Sequence, residues 1–206
     1  MFAYCLNSPI SFFDRNGHDA VWIHESDSAA TFGHTGLLVE DEKTGKWYYF
    51  YWGPVDENES PMILASSGSA SNCVIIEINV DAGDLSTVEG VQKILVSAND
   101  DFVKSRSNKV TDIYYFEGDY SSTLTYLQGL GTIEDLTYHL LVNNCVQNSW
   151  TALGKSNVCF KAATCPIIPD VAYAKMLFRG SQFTTLKQFV QREIQSVYEK
   201  ICSFIG

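Results

Sequence analysis

The sequence predicts an α+β domain with a mainly antiparallel sheet. Three observations carry that prediction. Residues 35–52 hold a β-favouring run, a polar turn and an aromatic run in the order of a hairpin. Val74, Ile76, Ile78 and Val80 alternate with Ile75, Glu77 and Asn79, the pattern of a half-buried strand. Apolar residues recur at helical spacing later in the chain, as with Val146, Trp150 and Leu153. With 206 residues the chain buries one sizeable core, and residues 1–206 are read as a single domain.

The opening MFAYCLNSPISFF is apolar, but it lacks a basic leading region and is broken by Asn7, Ser8 and Pro9, the wrong pattern for a secretory signal. His18 and His24 fall in a polar lead-in, where exposed loop histidines are expected. Residues 35–39 form the first hairpin strand, 40–46 the turn with Gly45, and 47–52 the aromatic second strand, ended by Gly53-Pro54. Residues 56–72 read as a polar, Ser-rich loop and 73–80 as a strand. Val88, Val91 and Leu95 predict a helix within 87–98, residues 112–116 a strand, 121–130 a helix before Gly131, and 138–142 a short extended run. Asn143-Asn144 caps a helix that begins at Cys145 and is stopped by Gly154. A connection with Cys and Pro covers 158–169, a short helix 170–178, and Leu186, Phe189, Val190, Ile194, Val197 and Ile201 predict a C-terminal amphipathic helix packed on the core.

Composition narrows the function. Fourteen basic against 24 acidic residues give a net charge of −10, which repels phosphate backbones and argues against nucleic acid as a partner. No stretch reaches the roughly 20 apolar residues of a membrane-spanning helix. Cys5, Cys73, Cys145, Cys159, Cys165 and Cys202 lack the density of a disulfide scaffold, so mostly free thiols are expected, with Cys159 and Cys165 able to close a small loop. No CxxC pair or His/Cys cluster points to zinc, and no metal or organic cofactor is expected. Nothing in the chain assigns a cellular compartment.

A nucleophilic cysteine needs a stabilised thiolate, which the first turn of a helix supplies through unpaired N–H groups and the positive end of the helix dipole. Cys145 is the cysteine so placed, and its own N–H can meet a developing oxyanion. The base comes from four histidines. His139 lies six residues before Cys145, so an extended chain carries it about 20 Å away at about 3.3 Å per residue. His34 opens a strand after Gly33, and Gly36 leaves room on the same face for a substrate to approach.

Phe32-Gly33-His34-Thr35-Gly36-Leu37-Leu38-Val39 and Leu140-Leu141-Val142-Asn143-Asn144-Cys145 resemble the circularly permuted branch of the NlpC-like papain-fold cysteine hydrolases, in which the histidine strand precedes the cysteine helix. The resemblance implies a papain-like core over residues 31–154, followed by a C-terminal helical extension over 155–206. Members of that branch orient the histidine with a polar third residue on the neighbouring strand, where this chain has only aromatic residues. Glu77 is therefore taken as the third catalytic residue if the sheet order brings it beside His34, with Asn79, Tyr49 and Tyr51 as alternatives. The aromatic strand itself reads as core packing, or as the wall of a substrate cleft.

The expected activity is amide or ester hydrolysis by acyl transfer, with Cys145 as nucleophile and His34 as base. By resemblance the substrate is a peptide amide, with bacterial cell-wall peptidoglycan first among candidates, and an effector role is compatible with it. The sequence names no inhibitor or immunity partner. A lipid acyltransferase or phospholipase could use the same dyad, and a catalytically inactive binding module could keep the same fold.

Overall fold

A computed structural model describes residues 19–26, 33–56, 61–133, 136–157 and 160. The predicted features at His18, Cys159, Cys165, Cys202 and the helices of 170–178 and 186–201 lie outside them. The chain runs β1 (Ala20–Glu25), β2 (His34–Asp41), β3 (Lys46–Pro54), α1 (Pro61–Ser66), β4 (Ser69–Ile78), α2 (Val88–Val96), α3 (Asp101–Arg106), a 3-10 turn at Ser107–Lys109, β5 (Asp112–Phe116), α4 (Ser121–Leu130), β6 (Thr137–Tyr138) and α5 (Cys145–Ser156). The six strands form one sheet in the order β5-β1-β2-β3-β4-β6, with every neighbouring pair antiparallel. Among the described residues, no helix is long and apolar enough to cross a membrane.

Alternate residues feed two cores, because successive strand side chains point to opposite faces. Ala20, Trp22, Leu37, Val39, Phe50 and Trp52 pack with α4 and α5 on one face. Val21, Ile23, Leu38, Tyr49 and Tyr51 pack with α2 and α3 on the other. The central strands are thus covered on both sides, and five residues of the aromatic run, all but Tyr48, are buried, as core packing requires.

The predicted hairpin, α2, β5 and α4 are present, and four expectations change. Residues 20–25 form a fully buried strand rather than a polar lead-in, since an apolar run covered on both faces shows no alternation. The expected loop of 56–72 contains α1 and the start of β4, which pairs with the aromatic strand from Pro54↔Ser71 to Trp47↔Ile78. Helix α3 was not predicted; the Asp100 carboxylate caps it by accepting the Val103 N–H at 2.9 Å. Gly154 does not stop α5, which continues to Ser156; a Cβ there would lie 2.4 Å from the Phe160 carbonyl oxygen, so its bare backbone serves a close approach.

Candidate active site

Cys145 is the first residue of α5, held by a capping box. The Asn144 side-chain oxygen accepts the Gln147 N–H at 3.0 Å, and the Gln147 side chain accepts the Asn144 N–H at 3.0 Å. The Asn144 amide also donates to the Leu140 carbonyl at 2.6 Å, which ties the helix start to the turn before it. That turn replaces the extended run expected at 138–142: His139 and Asn143 exchange backbone hydrogen bonds of 3.0 Å each, so the chain reverses sharply. Within this turn His139 Nδ1 accepts the Leu141 N–H at 3.3 Å.

The Cys145 side chain is buried. Burial pushes its thiol up to about 12, against the opposing influence of the Thr35 N–H, the Tyr138 hydroxyl and the Val146 N–H, all of which hydrogen-bond the sulfur. The expected helix-start thiolate is therefore a thiol at neutral pH, because loss of water outweighs three donors. Burial likewise raises Tyr138, whose hydroxyl bonds Cys145.

His34 opens β2 and is 2% exposed. Its ring stacks on Tyr51 with centroids 4.5 Å apart and an interplanar angle of 27°, and the Arg106 guanidinium sits 4.9 Å from the same tyrosine ring. Burial first, then the charges of Arg106, Lys109 and His24, hold the His34 imidazole well below its ordinary pKa, so it is neutral at neutral pH. Its Nε2 has no hydrogen-bond partner among the described residues, so this nitrogen makes no bond to the thiol. The link between the two residues is Thr35, which follows His34 in the chain and whose N–H reaches the sulfur. Gly36 leaves room for the next strand rather than for a substrate, since a Cβ there would lie 3.0 Å from the Phe50 carbonyl.

The sheet order does not bring Glu77 beside His34. Glu77 pairs across to Tyr48, which pairs to Val39, so its row crosses β2 five residues from His34, about 16 Å along the strand. Its carboxylate is exposed and accepts from Lys46 Nζ at 2.8 Å. Asn79 is exposed beyond the end of β4, and Tyr49 pairs across to Leu38. Of the four candidates, Tyr51 stands against His34, through ring stacking.

Two residues near the site were not anticipated. Glu25 lies directly opposite His34 in the β1–β2 register, is fully buried, and takes a two-point contact from Arg106, through Nε at 3.2 Å and through Nη2. Its charge also acts on Cys145, opposing ionisation of the thiol. The available signal was a lone acidic residue closing the run Ala20-Val21-Trp22-Ile23-His24. His24, expected on an exposed loop, is 4% exposed within β1, and its Nδ1 lies 3.1 Å from the Asp112 carboxylate. Among the described residues, no group of three or more His, Cys, Asp or Glu could hold a metal ion.

No protein-family model and no curated protein matches the chain. Among solved structures it is similar to the type VI secretion system effector TseH, with a TM-score of 0.53 and 17% identity over 80% of this chain and 90% of that one. That likeness shows the fold: the α+β papain-like core with a mainly antiparallel sheet against helices is the one observed.

Proposed function

We propose that this chain is a cysteine hydrolase of the permuted NlpC-like type, which cleaves an amide bond through an acyl-enzyme on Cys145 with His34 as base. The observation that carries this reading is the hydrogen bond from the Thr35 N–H to the Cys145 sulfur, because it joins the start of the histidine strand to the start of the capped cysteine helix. A neutral imidazole suits the base, and a thiol raised to about 12 must lose its proton as the bond to the carbonyl carbon forms. Backbone N–H groups at the helix start donate to the oxyanion, and water then releases the acyl group. Similarity to a secretion-system effector supports an effector role and is consistent with an immunity protein as partner, whereas a cell-wall peptide as substrate rests on the family resemblance of the sequence alone.

The test is to incubate purified peptidoglycan with the protein and analyse the released fragments by mass. Wild type, Cys73→Ala and Glu77→Gln should release the same fragments, and Cys145→Ala and His34→Ala should release none while melting as folded proteins. Cleavage by Cys145→Ala would remove the nucleophile assignment. A second reading, hydrolysis or transfer of lipid acyl chains by the same dyad, is favoured by Leu141 and Val142, which are 47% and 70% exposed in the turn leading to Cys145. Turnover of glycerolipids without turnover of peptidoglycan would select it.

A further inference from the structure

The Cys145 sulfur meets β2 at the level of the sheet. N–H groups of a strand lie in the plane of the sheet, perpendicular to the strand, and the Thr35 N–H is a hydrogen-bond donor to that sulfur. The β2–β3 register ends at Gly36↔Tyr51, one residue short of Thr35, so the sulfur meets β2 just past the end of its pairing with β3. Side chains of successive residues leave a strand on opposite sides, so those of His34 and Thr35 depart above and below that level. Thr35 keeps step with Leu37 and Val39, which belong to the same core as Cys145, while the His34 ring stacks on Tyr51 of the other core. The Thr35 side chain is fully buried, and its Oγ1 has no hydrogen-bond partner among the described residues. A buried hydroxyl without a partner weakens the fold. In acyl transfer the group that arrives beside the sulfur is a carbonyl oxygen, and it gains negative charge as the sulfur bonds its carbon.

We infer that Thr35 is a further catalytic residue, whose hydroxyl donates a hydrogen bond to the oxyanion formed when Cys145 attacks the substrate carbonyl. The inference rests on the hydrolase reading and adds one side-chain donor to the backbone N–H groups at the start of α5. As the sulfur–carbon bond forms, the π pair of the carbonyl passes to its oxygen and the thiol proton leaves to the base. The Thr35 O–H rotates about its Cβ–Oγ1 bond to meet that oxygen and keeps its own proton throughout. The pair then returns to re-form the carbonyl, the bond to the leaving atom breaks, and that atom takes the proton held by the base. Deacylation repeats the sequence: water bonds the thioester carbon and gives its proton to the base, the same hydroxyl serves the second oxyanion, and the departing sulfur recovers the proton.

Two reactions of the same thiol test this: acetylation by p-nitrophenyl acetate, which passes through an oxyanion, and alkylation by iodoacetamide, which does not. Both are read at Cys145 by peptide mass. Thr35→Val keeps the backbone N–H and removes the hydroxyl, so acetylation should slow about a hundredfold while alkylation stays within about threefold of wild type. Thr35→Ser restores the donor and should bring acetylation back to within about threefold of wild type. Thr35→Val should also melt no lower than wild type, because the hydroxyl it loses has no partner in the resting protein. Equal slowing of both reactions, unchanged acetylation, or a lowered melting temperature or failure to fold in Thr35→Val would overturn the inference. If wild-type Cys145 is alkylated but never acetylated, the hydrolase reading itself has failed and this inference falls with it, an outcome distinct from normal wild-type acetylation that Thr35→Val leaves unchanged.

Discussion

Arg106 and Glu25 form an ion pair with 1% and 0% of their side chains exposed, packed beneath the ring on which His34 stacks. Burial works against the Arg106 charge, and the Glu25 carboxylate more than offsets it, so Arg106 is held more firmly protonated than usual. Removing one partner strands the other charge away from water. Glu25→Gln should therefore cost about 3–5 kcal/mol in urea unfolding, and Glu25→Gln with Arg106→Met should cost less than the sum of the two single changes. Strictly additive losses would show that the two side chains are not coupled.

Thiol reactivity follows from burial rather than from the helix dipole. With Cys145 raised to about 12 and Cys73 to about 11, neither should react rapidly with iodoacetamide at about pH 7 in the resting protein. Tyr138→Phe removes a donor to the Cys145 sulfur, so labelling of Cys145 at about pH 10 should slow about tenfold while Cys73 is unchanged. Faster labelling of Cys145 in Tyr138→Phe would contradict the hydrogen bond.

The neutral imidazole of His34 has a consequence for acid stability. A histidine whose pKa falls on folding binds fewer protons folded than unfolded below its ordinary value of 6.5, so its contribution is absent at higher pH and becomes destabilising as the pH drops through that value. Wild type should lose more melting temperature between about pH 7.5 and about pH 5 than His34→Gln does. Parallel losses would mean that His34 is protonated in the folded state.

Two glycines in helices should respond in opposite directions to alanine. Among the described residues, no atom outside its own helix turn lies within 4 Å of where a Cβ on Gly129 of α4 would be, so Gly129→Ala should stabilise by about 0.5–1 kcal/mol. At Gly154 the Phe160 carbonyl oxygen stands 2.4 Å from that Cβ, so Gly154→Ala should destabilise by about 1–3 kcal/mol despite the better helix propensity. Thermal melting of the two variants decides it, and stabilisation by Gly154→Ala would contradict the contact.

The sequence by itself determined what depends on local pattern: the hairpin around Gly45, the alternation through Ile78, the periods of α2 and α4, and a capped helix beginning at Cys145, each of which is written in neighbouring residues. It also marked His34 and Cys145, since a histidine after a glycine and a cysteine after two asparagines are visible without a fold. Tertiary structure decided the rest. Strand β1 escaped notice because a strand buried on both faces has no polar alternation, and with it went the ion pair of Glu25 with Arg106 and the pairing of His24 with Asp112, which are joined by tertiary contacts across more than 80 positions of sequence. Glu77 was chemically suitable but sits five residues along the sheet from His34, a separation set by strand order. The ionisation of Cys145 was decided the same way: the helix start is local, whereas removal of its sulfur from water requires the whole sheet and the helix packed over it.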